Sequence, residues 1–171
     1  MSPVLSISAV RGPLVGAGAV LALPTAPRRR GLPEVGAGAD ALEALGVDAA
    51  AFLRAEQAVG KAGEIVAIPL RRDGVDAVLL VGCGEGSPAE LRRAGAAVAR
   101  RASGSRSVAT TLAVGRDSVA IRALAEGIGL AAYRFSVVPD ARPPTLRRVK
   151  LVVDSPAACR ADLARAAAVV S

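Results

Sequence analysis

Histidine is missing from all 171 residues. Its absence excludes serine–histidine and cysteine–histidine nucleophilic catalysis, and any metal site built on imidazole. Tryptophan is missing too, and Phe52, Tyr133 and Phe135 are the whole aromatic complement. That removes the stacking platforms on which single-stranded nucleic acids are held. Lysine is reduced to Lys61 and Lys150, so the net charge of +7 is carried by arginine. Cys83 and Cys159 are far apart and in no C-x-x-C pair, which implies neither a disulfide framework nor a thiolate zinc site. Two reduced thiols fit a reducing compartment. Long apolar runs are also lacking. The stretch 14–23 is broken by Gly16 and Gly18, follows only Arg11, and falls short of the ~20 residues a membrane span needs. A buried strand explains it better than a leader peptide.

What is present is small and aliphatic. Hydrophobic residues make up 52% of the chain, so with aromatics at 2% the core is built from Val, Leu, Ile and Ala. Such side chains let helices and sheet approach closely. The length suits one domain. The arginines are scattered, and the densest run is Arg28-Arg29-Arg30. A solvated basic surface is the simple reading of them, and a nucleic-acid partner the alternative.

Alternation over 4–10 predicts a strand, and 19–23 a second short one. Residues 24–38 collect Pro, Gly and the arginine run and read as a surface loop. A helix is expected from Asp40 as its cap, broken at Gly46. A second piece runs from Asp48 to about Val59, with Phe52, Ala55 and Val59 on one face. Strands at 64–70 and 76–81 flank Arg71-Arg72-Asp73-Gly74-Val75, where Asp-Gly predicts a hairpin turn. Turn chemistry explains Asp73 better than a metal pair with Asp76. The second strand leads into Gly82-Cys83-Gly84-Glu85-Gly86-Ser87. Ser87, Pro88 and Glu90 then form a capping box, followed by the apolar stripe Leu91, Ala94 and Val98.

Residues 108–114 read as a strand. A long helix is expected from Asp117 or Ser118 to about Phe135, with Ile121, Leu124, Ile128, Ala131 and Phe135 on one side. Gly127 and Gly129 inside it cost ~1 kcal/mol each relative to alanine, which close approach to a neighbour would offset. A Pro-rich loop at 136–148, a strand at 149–153 and a helix opened by Ser155-Pro156 complete the chain. The whole predicts an α/β fold, a mixed sheet covered on both faces by helices.

Chemistry-bearing constellations are scarce. The loop from Gly82 to Ser87, between a strand and a helix N-terminus, is the best candidate binding feature, because its N–H groups could hold a phosphate. It is neither a Walker loop nor GxGxxG, and Glu85 disfavours an anion, so a tight strand-to-helix turn that simply needs glycine is the preferred reading and phosphate binding the alternative. Cys83 lies near the same helix start but has no base partner.

Five segments, in order, resemble the N-terminal domain of the leucyl (cytosol) aminopeptidase family. They are Gly60-Lys61-Ala62-Gly63-Glu64, then Val78-Leu79-Leu80-Val81-Gly82-Cys83-Gly84-Glu85, then Leu91-Arg92-Arg93-Ala94-Gly95-Ala96-Ala97. Ala123-Leu124-Ala125-Glu126-Gly127 and Ala132-Tyr133-Arg134-Phe135 follow. The resemblance covers residues 60–154, while 1–59 match mainly in layout. It implies a macro-domain-like three-layer α/β/α sandwich over 1–154, with 155–171 beginning a helix toward a C-terminal catalytic domain. In the family that domain holds two divalent metals, zinc or manganese, on Asp, Glu and Lys side chains. An activated water there attacks the peptide bond after an N-terminal residue. Its marker, Asn-Thr-Asp-Ala-Glu-Gly-Arg, is absent from this sequence. No catalytic, cofactor-binding or metal-binding residue is therefore carried over, and no cofactor is expected in this chain. The resemblance further implies a cytoplasmic hexamer with N-terminal domains on the outside, aiding assembly and limiting access to the interior. Its partners would be the catalytic domain and other copies, not a membrane. Some members bind DNA, which keeps a DNA-binding module open beside a stand-alone binder of ADP-ribose or a nucleotide.

Overall fold

The computed structural model describes residues 5–137 and 146–170. The chain builds β1 (Ser6–Val10), β2 (Val20–Ala26), β3 (Glu34–Val35), α1 (Ala39–Ala44), α2 (Ala49–Ala55), β4 (Ile65–Arg72) and β5 (Val75–Gly82). It continues through α3 (Pro88–Arg101), β6 (Ser107–Thr110), α4 (Ser118–Val137), β7 (Arg148–Val152) and α5 (Pro156–Val170). One sheet runs in the order β1-β7-β6-β2-β5-β4, with β3 paired to β2. The pairs along β1, β7, β6, β2 and β5 are parallel, while β4 on β5 and β3 on β2 are antiparallel. The sheet is mixed and has a helical layer on each face, a three-layer α/β/α sandwich.

Period-two alternation sorts the central strands onto those faces. From β2 and β5, Val20, Ala22, Leu79 and Val81 point into a core with Leu91 and Val98 of α3, Leu124 and Ile128 of α4 and Cys159 of α5. Leu21, Leu23, Val78 and Leu80 point the other way, toward Leu42 of α1, Leu45 at its C-terminal end and Leu53 of α2. The expected stripes Leu91-Ala94-Val98 and Ile121-Leu124-Ile128-Ala131 are buried as predicted. The Phe135 side chain and the loop over 138–145 lie outside the described residues.

The Asp-Gly hairpin forms as expected. Asp73 (φ 52°) and Gly74 (φ 76°) both take left-handed conformations, and Arg72 pairs with Val75. Pro69 sits on β4, where an edge strand tolerates a residue without an N–H.

Several boundaries differ from expectation for physical reasons. The strand expected over 19–23 continues to Ala26 through Pro24. The Pro24 carbonyl accepts from the Gly36 N–H, so this residue faces away from β5 and its missing donor costs no bond to that strand. Part of the loop expected over 24–38 is thus the end of β2 together with β3. The strand expected over 108–114 stops at Thr110. The Thr110 hydroxyl donates to the Ala22 carbonyl and accepts from the Leu112 N–H, turning the chain while Leu112 and Ala113 drop into the core. Above that point β3 takes the place of β6 beside β2.

Asp40 does not cap α1; Gly38 does, in a left-handed conformation with no side-chain bond, and Asp40 lies in the first turn. Asp48 does cap α2, accepting from the Ala51 N–H. That helix ends at Ala55, and its expected inner face is turned outward. Phe52, Ala55 and Val59 are exposed while Leu53 is buried. A single inward leucine anchors so short a helix, and the spacing of the other three had suggested the opposite face.

The helices on the more heavily covered face approach one another backbone to backbone. A Cβ on Gly127 would strike the Arg92 carbonyl of α3, and one on Gly95 would strike the Leu124 carbonyl of α4. This answers why Gly127 is tolerated mid-helix. Gly127→Ala should therefore destabilise the chain by about 2 kcal/mol despite alanine's better helix propensity. Urea unfolding followed by circular dichroism checks this, and an unchanged or raised midpoint would contradict the packing described.

Candidate functional site

The glycine loop at the end of β5 is the sequence's candidate phosphate site. Its backbone donors are already used. The Gly82 N–H donates to the Glu64 carbonyl, that of Cys83 to Thr25, that of Gly84 to Gly60 and that of Gly86 to Cys83. The Ser87 N–H donates to the Glu90 carboxylate at 3.0 Å, and the Glu90 N–H returns a bond to the Ser87 hydroxyl. This is the capping box expected from the sequence. The Ser87 N–H, and then its hydroxyl, hold the Glu90 carboxyl below its ordinary range. Gly84 (φ +56°) has no room for a Cβ because that carboxylate lies against it. The anion at this helix N-terminus is thus the protein's own.

Two of the segments that resemble the family, 60–64 and 78–85, meet here. The strap 60–64, a turn closed by the Glu64 N–H on the Lys61 carbonyl, crosses the end of β5, with Gly63 donating to the Gly82 carbonyl and the Glu64 carboxylate accepting from the Val59 and Gly60 N–H groups. A Cβ on Gly82 would collide with the Lys61 carbonyl. The glycines serve a crossing of two backbones.

Cys83 is 1% exposed under this crossing. Burial pushes its thiol up to about 11, against a smaller opposing pull from Arg116. It is not an activated nucleophile. Burial, then Asp162, raises Cys159 as well. Arg28 of the arginine run forms a surface ion pair with Glu34 at 3.5 Å.

A cluster not singled out from the sequence lies across α3, α4 and α5. Glu126 is buried, and its two oxygens take separate arginines at 2.8 Å, Arg92 from α3 and Arg122 one turn back on α4. The Arg92 hydrogen bond is the main reason its carboxyl sits below the ordinary range, against opposing burial; the Arg122 bond adds to the lowering. Nearby, buried Asp162 of α5 accepts from the Ser118 hydroxyl at 3.0 Å, with Arg165 at 4.0 Å. The Arg122–Glu126 spacing of four was the available signal; the partners from α3 and α5 come only from tertiary packing.

Residues 32–138 match the family described as "Cytosol aminopeptidase family, N-terminal domain". This chain belongs to that family. The "Probable cytosol aminopeptidase" of Rhodococcus jostii is 40% identical over 126 residues, covering 66% of this chain and 24% of the relative. That of Rhodococcus erythropolis is 36% identical over the same lengths and shares. The chain thus spans about a quarter of the length of these curated relatives. Among solved structures, the bottromycin maturation enzyme BotP is 30% identical with a TM-score of 0.62, over 90% of this chain and 30% of that one. A tomato leucine aminopeptidase variant has a TM-score of 0.73 over 97% of this chain and 36% of its own, at 21% identity, a likeness of fold.

Among the described residues the metals that the family implies find no donor set: no group of three or more His, Cys, Asp or Glu could hold an ion. The acids that lie close to partners are committed, Glu126 to two arginines and Glu64 and Glu90 to backbone N–H groups. Among the described residues, no helix is long and apolar enough to cross a membrane.

Two outcomes test these environments. With its thiol held near 11, Cys83 has an about hundredfold smaller thiolate population than an ordinary thiol at mild pH. Ellman's reagent at pH of about 8 should leave it unmodified in the folded chain and modify both cysteines in guanidinium; rapid native modification would contradict its burial. Glu126 has a lowered folded pKa, so its stabilisation is complete above the unfolded carboxylate range and lost as pH falls through the folded value. Glu126→Gln should cost about 1 kcal/mol at neutral pH, modest because both arginines are half exposed. The gap to wild type should close on acidification, and a gap that widens would reverse the assignment.

Proposed function

We propose that this chain is a non-catalytic N-terminal domain serving assembly and access control in a cytosol aminopeptidase. The observation that carries this reading is the match to the N-terminal domain of the family over 32–138, in a chain that spans about a quarter of the length of its relatives. In the proposed arrangement residues 1–154 form a macro-like domain and 155–171 begin the helix toward a catalytic domain. No catalytic, cofactor-binding or metal-binding residue is assigned to the chain. The two divalent metals, manganese or zinc, and the removal of N-terminal residues from peptides belong to the catalytic part of the parent. The parent is proposed to be a cytoplasmic hexamer with this domain outermost. The used-up donors of the Gly82–Ser87 loop weigh against the nucleotide-binding alternative, and the Arg28–Glu34 pair gives the DNA-binding alternative no specific support.

The test is hydrolysis of leucine p-nitroanilide with added Mn²⁺ or Zn²⁺, with the Rhodococcus jostii relative as positive control. The 171-residue chain should show no turnover, and turnover at the control's rate would overturn the reading. For the assembly role, the same relative stripped of the segment aligned to this chain should sediment as smaller particles than its parent. Retention of the parent's subunit number would remove assembly from the proposal.

A further inference from the structure

The two borders of the sheet differ. β1 lies at one end of the strand order, and its partner in the sheet is β7. The Ser6 N–H donates to the Arg147 carbonyl and the Val10 carbonyl accepts from the Val153 N–H, so residues 6, 8 and 10 spend their backbone groups on β7. Leu5, Ile7 and Ala9 therefore turn their N–H and C=O groups outward, where nothing among the described residues pairs with them. No charge and no proline interrupts the run from Leu5 to Val10. Arg11, which follows it, is drawn back onto the Asp154 carbonyl by two hydrogen bonds, at 3.0 and 2.6 Å. The opposite border, β4, has no such run, since it carries Pro69 and ends in Arg71 and Arg72. A row of free backbone groups without a charge is an open site for another strand.

The strand that fits this border best is its own copy. Laid antiparallel about Ile7, Ile7 meets Ile7 and Leu5 meets Ala9, and in that register every outward-turned residue falls in a hydrogen-bonded pair. These three side chains pack against the core shared with α5, so apolar meets apolar on that face. On the other face Ser6 meets Ser8, both exposed, and opposed hydroxyls can bond to one another. α5 packs on β1, so a two-fold axis normal to the sheet brings the α5 helices of both copies to the same side. Asp162 meets Ser118 of α4. By helical spacing Arg160, Leu163, Ala164 and Ala167 occupy the flank turned from α4, beyond the border at β1. Arg160 is the one charge in that row, and its long stem can carry the head to solvent. Two strands of five residues alone fall short of the ~1,200 Å² that a stable complex buries, and this flank extends the contact.

We propose that β1 is an interface for a second copy of this chain, the two β1 strands pairing antiparallel and joining both sheets into one. Such a contact is isologous: each copy spends its one open border on the other, so the assembly closes at two. The pairing needs no catalytic domain, and its loss would leave the aminopeptidase reading as it stands.

Sedimentation equilibrium of the 171-residue chain should show a monomer and a dimer with a dissociation constant of roughly 10–100 μM, as befits a small interface. The double variant Ser6→Lys, Ser8→Lys changes two exposed positions outside the core and sets lysine against lysine across the pair. It should weaken dimerisation at least about tenfold while keeping the circular dichroism spectrum of the parent chain. Ser6→Glu with Ser8→Glu should do the same. An equimolar mixture of the two double variants should dimerise again, because each lysine then meets a glutamate. That recovery is specific to β1 on β1, and general loss of folding would not produce it. A chain that stays monomeric at high micromolar concentration, dimers that survive the paired lysines, growth beyond two copies, or no recovery on mixing would each overturn the proposal.

Discussion

Direct contact between backbones, with no side chain between them, governs how this molecule is put together. On one face Gly95 and Gly127 let α3 and α4 meet carbonyl against Cα. At the end of β5, Gly82 lies against the Lys61 carbonyl and Gly60 against the backbone of Ala26 and Pro27, so the strap 60–64 crosses the strand and exchanges hydrogen bonds with it. A core with almost no aromatic residues has little bulk with which to fill space, so layers must close up to keep interior density. Alanine does the same service within the helices, as Ala94, Ala120, Ala123 and Ala131 show by their burial. The arginine pair on Glu126 follows from this closeness, since only helices so near one another bring Arg92 to a carboxylate on the adjacent helix.

The same closeness decides what the glycine loop does. A loop of this composition before a helix can cradle an anion if its N–H groups point outward. Here the crossing strap and the capping box use them inward, and Glu90 contributes the negative charge the helix start favours. Binding capacity on this face has been exchanged for rigidity at the junction of β5 and α3. The polar cluster between α3, α4 and α5 is different, since its two arginines stay half exposed while they hold Glu126.

Much of this was legible in the residues. The Asp73-Gly74 turn, the Ser87-Pro88-Glu90 cap, the stripe of α3 and that of α4 as far as Ala131 are local patterns with local causes, and each took the predicted form. The ends of β2 and β6 were not legible, because they depend on β3, a two-residue strand that gains its identity only from pairing with Thr25 and Ala26. The orientation of α2 was misread because one buried leucine outweighed three apolar residues at helical spacing. The Glu126 and Asp162 cluster was invisible for a related reason. Residues from three helices converge there, and only the Arg122–Glu126 step lies within one of them. The Gly82–Ser87 loop is the tight glycine turn its sequence favours over a phosphate site, but the strap that crosses it is visible only in the fold.

The outer margin of the sheet at β4 carries its own consequence. Pro69 offers no donor there, the pairing is irregular between Pro69 and Arg72, and Arg71 takes a left-handed conformation beside Arg72. Two adjacent like charges on a kinked, donor-poor strand make a poor template for a neighbouring chain. A protein this rich in valine, leucine and alanine would otherwise invite edge-to-edge growth into fibres. Along this border the irregular strand itself supplies the barrier, so the apolar composition needed for tight layering is kept from becoming a liability in a crowded solution.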